Sequence, residues 1–132
     1  MNQTQIDELL LYCLRESPDK TGDGRVESLS EADWEDLLQQ SDRHKITPLL
    51  YHRLQTFHPD ISIPPDITGK LRQSYLDNSA RNLRLYDNLS RVLKILRCDR
   101  IPVIVLKGAH LAEFVYGNRA LRFMGDLDLL VQ

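Results

Sequence analysis

Apolar residues recur at three- and four-residue intervals through most of this chain, and the rhythm changes only near residue 101. In "QIDELLLYCLRE", Ile6, Leu9, Leu10, Cys13 and Leu14 share one face at helical spacing, which predicts an amphipathic helix over residues 4–16. "SPDKTGDGRVES" is rich in Gly, Pro, Asp and Ser and reads as a loop. "SLSEADWEDLLQQSDRH" restores the helical period, with Trp34, Leu37 and Leu38 facing inward. Ser30 precedes Glu31-Ala32-Asp33, so its hydroxyl can cap the first N–H groups while acids sit at the positive end of the helix dipole. A further helix is predicted over "ITPLLYHRLQTF", where Leu49, Leu50, Arg53, Leu54 and Phe57 follow the period. Pro48 falls in its first turn, where the missing N–H has no partner to lose.

After "HPDISIPPD", from about Asp66 to Cys98, no proline occurs and only Gly69 interrupts a stripe of Leu71, Tyr75, Leu76, Leu83, Tyr86, Leu89, Val92, Leu93 and Leu96. This predicts one long helix of about 30 residues, roughly 45 Å at 1.5 Å per residue, with a break near Asn78–Asn82 as the alternative. The period then switches. "IPVIVLK" is a short β-branched strand, "GAHLAEFVYGN" a short helix that Gly117 can end, "RALRFMG" a turn and "DLDLLV" a second strand. The fold class is therefore α+β: a predominantly helical N-terminal region (1–65), a long connecting helix (66–100) and a β-α-β segment (101–132).

Bulk properties narrow the classes of function. With 132 residues the chain supports one modest core. A net charge of −2 gives no electrostatic footprint for bulk nucleic-acid or membrane binding, and no apolar run approaches the ~20 residues that span a bilayer. The N-terminus carries Asp and Glu where a secretion signal carries Lys or Arg. Cys13 and Cys98 form no disulfide framework; both fall on apolar helix faces and are expected to be buried thiols. A cytoplasmic protein without membrane partners is the expectation.

The candidate chemistry lies in "VLKGAHLAEFVYGNRALRFMGDLDLLVQ". If Asp126 and Asp128 both lie in a strand, they point to one face, with Leu127 and Leu129 on the other. Two carboxylates on one face suit a hard divalent cation that keeps waters and takes substrate phosphates; a solvated edge strand gives the same pattern. Upstream, Gly108 at a strand-to-helix turn lets backbone approach a ligand, and the helix beyond offers N–H groups to phosphate. Lys107 and Arg122 bring positive charge to the same end.

With its Leu-Lys-Gly, short helix and Leu-Arg-Phe-Met-Gly-Asp-Leu-Asp-Leu-Leu-Val, this segment resembles an uncharacterised bacterial nucleotidyltransferase family of the polymerase-β-like superfamily. "DWEDLLQQSDRHKITPLLYHRLQ" is similar to the same family's N-terminal helices. The resemblance implies the start of a nucleotidyltransferase core, with Asp126 and Asp128 as catalytic ligands of Mg²⁺ or Mn²⁺ and Lys107, Gly108 and Arg122 at the nucleotide phosphates. It implies transfer of a nucleotidyl group from an NTP to an acceptor that the sequence does not identify. The alternative is a catalytically inactive helical interaction module with a vestigial nucleotide site.

Departures accompany the resemblance. Lys107-Gly108-Ala109 lacks the Gly-Gly or Gly-Ser usual at this turn, Phe123 stands where many relatives have proline, and no later strand supplies the superfamily's third carboxylate before Gln132. The chain is thus expected to be the N-terminal part of a longer protein and inactive alone. It is also expected to form a homodimer over an uncovered sheet face bearing Leu127, Leu129 and Val131. Two other patterns are weaker. Asp19, Thr21, Asp23 and Gly24 match the start of a calcium loop, but its twelfth position is Ser30 and Glu31 comes one place late. His44, His52, His58 and His110 lack zinc spacing.

Overall fold

A computed structural model describes residues 1–16 and 23–132, which divide into two compact units, Met1–Tyr75 and Leu76–Gln132. Asp19 and Thr21 of the calcium-loop pattern lie outside the described residues.

The first unit is helical: α1 (Gln3–Leu14), α2 (Asp23–Glu27), α3 (Glu31–Arg43), α4 (Thr47–Phe57) and the first part of α5 (Pro65–Cys98). Each start has a local cause. Asn2 caps α1 and Ser30 caps α3, each in a reciprocal capping box, with Gln5 and Asp33 respectively returning the bond. Pro48 sits in the first turn of α4, as expected. The inward faces meet in one core of Ile6, Leu9, Leu10, Cys13, Val26, Trp34, Leu37, Leu50, Leu54, Ile67 and Leu71. Val26 explains why a helical turn, α2, forms where a loop was expected: it is 1% exposed, and burying it draws in the residues around it. The buried hydroxyls Ser41 and Thr47 bond each other at 2.9 Å, so they carry no unpaired polar cost.

The second unit holds the rest of α5, then β1 (Val103–Leu106), α6 (Lys107–Phe114) and β2 (Asp128–Val131). α5 is continuous, and the alternative break near Asn78–Asn82 does not occur. Its inward stripe is narrower than the sequence suggests. Leu76, Leu83 and Val92 are exposed, because they stand one position beside the residues that face inward. β1 and β2 pair antiparallel, with Val103 opposite Val131 and Leu106 opposite Asp128. Both strands are shorter than expected. Ile101 is tied back to α5, its N–H donating to Leu96 O at 2.9 Å. At the other end β1 passes directly into α6, so Asp126 and Leu127 have no strand residue to pair with.

The sheet face expected to be uncovered is also reassigned. Leu127 and Leu129 are partly buried against Leu89, Ala109, Ala112 and Met124. The exposed apolar pair is Ile104 and Leu130, opposite each other on the other face, while Val131 is exposed at the sheet's end. Cys13 is buried as expected, but Cys98, in the last turn of α5, is exposed. No helix among the described residues is long and apolar enough to cross a membrane.

Candidate functional site

The junction between β1 and α6 sets the geometry of the site. No linker separates the two elements, so one residue must turn the chain, and that residue is Lys107 with φ +52°. An L-residue there is strained by about 1–2 kcal/mol, and such strain gathers where a site requires it. Gly108, expected at the turn so that backbone could approach a ligand, lies one residue past it and is closely packed by its own chain. A Cβ built on it would lie 3.2 Å from Met124 Cγ and 3.5 Å from Arg122 Nε. The missing side chain therefore lets Met124 and Arg122, in the segment before β2, lie close over the start of α6. Leu106 offers α6 no side-chain cap; uncapped helix N-termini in general can receive an anion.

Four of the five predicted site residues converge here. Lys107 Nζ lies 3.4 Å from Asp128 Oδ1, a contact that follows from the register placing Leu106 opposite Asp128. Arg122 lies against Gly108. Asp128 is about one-third exposed and Lys107 largely exposed, so the pair is accessible to a ligand. Asp126 is exposed just before β2 rather than within it, so strand alternation does not fix its direction. Among the described residues no group of three or more His, Cys, Asp or Glu side chains could hold a metal. The oxygen donors of this segment are two carboxylates, Asp128 at the junction and Asp126 two residues before it. Such a set fits Mg²⁺ or Mn²⁺ only with waters or phosphate oxygens completing the shell.

Supporting residues were not read from the sequence. Asn78 and Asn82, buried on α5 one turn apart, donate from their amides to the backbone carbonyls of the segment that carries Arg122. Tyr86 donates its hydroxyl to Ala109 O, holding the first turn of α6 to α5, and burial raises its pKa. Arg119 stacks over the Tyr86 ring at 4.2 Å and pairs with Glu113 on α6. The hydrogen bond from Arg119 holds the Glu113 carboxyl below its ordinary range, and Glu113 in turn raises Arg119. Arg81 stacks over Phe123 at 4.8 Å. The signal for the asparagines was present: residues 78 and 82 continue the stripe through Leu71 and Tyr75 to Leu89, where leucine is the ordinary occupant.

Residues 30–132 match a family model described as an uncharacterised nucleotidyltransferase. Comparison with curated proteins and comparison with solved structures each found no match.

Proposed function

Because the chain belongs to this uncharacterised nucleotidyltransferase family, we propose that its second unit binds an NTP with Mg²⁺ or Mn²⁺ and takes part in nucleotidyl transfer to an acceptor. Asp126 and Asp128 hold the metal, and Lys107, Gly108 and Arg122 receive the phosphates. What supports the reading is the convergence of Lys107, Gly108, Arg122 and Asp128 at the β1–α6 junction.

The chemistry assigned to the chain is positioning and charge balance, which carry much of phosphoryl-transfer catalysis. Lys107, now beside Asp128, has a flexible stem that lets its ammonium turn to a phosphate oxygen while Asp128 takes up the cation. Arg122 presents a planar fork suited to phosphate. Gly108, with no side chain, lets Arg122 lie against the start of α6. The metal, when bound, would neutralise phosphate charge and favour attack at the α-phosphate with pyrophosphate leaving.

The test is Mn²⁺-dependent binding of a fluorescent ATP or GTP analogue to the whole chain. Asp126→Ala/Asp128→Ala is expected to abolish the metal dependence, and Lys107→Ala to weaken binding about tenfold. Binding by the wild type that the double variant leaves unchanged would overturn the assignment. No binding at all would favour the helical interaction module with a vestigial site.

A further inference from the structure

The segment between α6 and β2 has neither helix nor strand of its own, yet it carries Arg122 and leads into both aspartates. Some of its bonds are local. Leu121 N–H donates to Asn118 O at 3.2 Å, and Ala120 N–H donates to Asn118 Oδ1 at 2.9 Å. Carbonyls of such a segment have no ladder to accept from, and buried carbonyls need donors.

Two asparagines of α5 supply them. Asn78 Nδ2 donates to Ala120 O at 2.7 Å and to Arg122 O at 3.2 Å. Asn82 Nδ2 donates to Arg119 O and, at 2.7 Å, to Arg122 O. An amide nitrogen has two hydrogens, so both asparagines use their whole donor capacity, and Arg122 O takes one bond from each. A carbonyl can only accept, which fixes which way both amides face. Their spacing of four residues stacks them on one side of the helix.

We infer that Asn78 and Asn82 are positioning residues: they clamp the backbone of residues 119–122 to α5, which keeps Arg122 against Gly108 and delivers Asp126 and Asp128 to the site. The inference rests on the nucleotide-site reading and deepens it. Two observations set this clamp apart from ordinary core bonding. Asn78 Oδ1 and Asn82 Oδ1 are both buried without a hydrogen-bond partner. A pair selected for stability alone would satisfy both ends of each amide. Here only the ends that grip the loop are used, and the position gripped twice is the backbone of the arginine assigned to phosphate. Hydrogen bonds fix this segment in one register, which apolar packing around small side chains does less sharply.

Trypsin reads the clamp directly, since two of the carbonyls held belong to arginines. In the wild type the Arg119–Ala120 and Arg122–Phe123 bonds are expected to resist cleavage. Asn82→Asp keeps the shape but turns a carboxylate toward carbonyl oxygens; Asn82→Leu and Asn78→Leu keep the helix apolar and remove the donors. Each is expected to raise cleavage at these two bonds at least tenfold, with far-UV circular dichroism unchanged. Each is also expected to lower the Mn²⁺-dependent affinity for the fluorescent ATP or GTP analogue about tenfold, a change that a merely structural role would not produce in a folded variant. The leucine variants keep the test decisive if the aspartate variant fails to fold. Wild-type binding that survives in both leucine variants overturns the inference alone, as does unchanged protection from trypsin. Absence of metal-dependent binding in the wild type overturns the functional reading, and the positioning role with it, while the cleavage pattern still reports whether the clamp exists.

Discussion

The two units solve the same problem, holding helices and loops in place, by different means. In the first, large apolar side chains do it: Trp34, Leu37, Leu50, Leu54 and Leu71 are each at most 1% exposed. In the second, the buried cluster is Leu89, Ala109, Ala112 and Met124, with two alanines among four members. Its most buried α5 side chains, Asn78 and Asn82, are amides. Apolar bulk lies outside instead, with Phe114, Val115, Ile104 and Leu130 all more than half exposed. Large hydrophobes fix helices cheaply because their attraction needs no exact direction. A loop that must present particular groups needs directional bonds, and the second unit spends its buried positions on these.

The contrast is sharpest in thiol chemistry, because burial acts on both reach and charge. Burial raises the Cys13 pKa to about 12, so at pH 8 roughly one molecule in 10⁴ carries the reactive thiolate there. Cys98, in the second unit, is exposed. Ellman's reagent should titrate one thiol per native chain rapidly, and the second only after denaturation. Cys98→Ser should abolish the fast reaction. Rapid reaction of both thiols in the native state would break the picture of a closed first unit.

Truncation of the cores gives the next largest effect. Leu37→Ala removes a side chain with 0% exposure from the first core and is expected to cost about 3–5 kcal/mol. Leu89→Ala removes the same atoms from a site 6% exposed, beside half-buried neighbours that can close in, so about 2 kcal/mol is expected. Denaturant midpoints measure both. An equal or larger loss at Leu89 would mean that the second unit depends on apolar burial as much as the first.

What the sequence disclosed follows the range of each interaction. The α3 cap was legible because Ser30 and Asp33 are three residues apart. The long α5 was legible because its stripe, and the absence of proline after its first residue, are local. The members of the candidate site were legible as residue types around one turn. Their arrangement was not. Asp128 meets Lys107 only because of the strand register, and Asp126 falls outside β2 because β1 stops at Leu106. The asparagine clamp joins residues 42 apart in sequence. Asparagine on an apolar stripe reads locally as a weak point in a helix, which is why a break was considered there. Gly108 was expected at the turn, where its backbone could approach a ligand; the structure gives the turn to Lys107 and packs Met124 and Arg122 against the glycine.

Left-handed residues carry the comparison to its smallest expected effect. Lys45 (φ +57°) ends α3, where its N–H donates to Asp42 O and the next N–H, from Ile46, donates to Ser41 O. This is a Schellman arrangement, whose usual occupant is glycine. Lys107 (φ +52°) has the same backbone conformation but stands at the candidate site, beside Asp128. Replacing either with glycine relieves strain of about 1–2 kcal/mol, partly offset by the greater freedom of glycine in the unfolded chain. At Lys107 the ion pair to Asp128 is also lost, but at 72% exposure of the lysine side chain such a pair is worth about 0–1 kcal/mol. Both variants should therefore be as stable as the wild type or more so, by up to about 1 kcal/mol. Nucleotide binding separates them: Lys45→Gly should leave the Mn²⁺-dependent affinity unchanged, while Lys107→Gly should weaken it about tenfold. A Lys107→Gly protein with higher stability and intact binding would show that the strained lysine serves neither the turn nor the ligand.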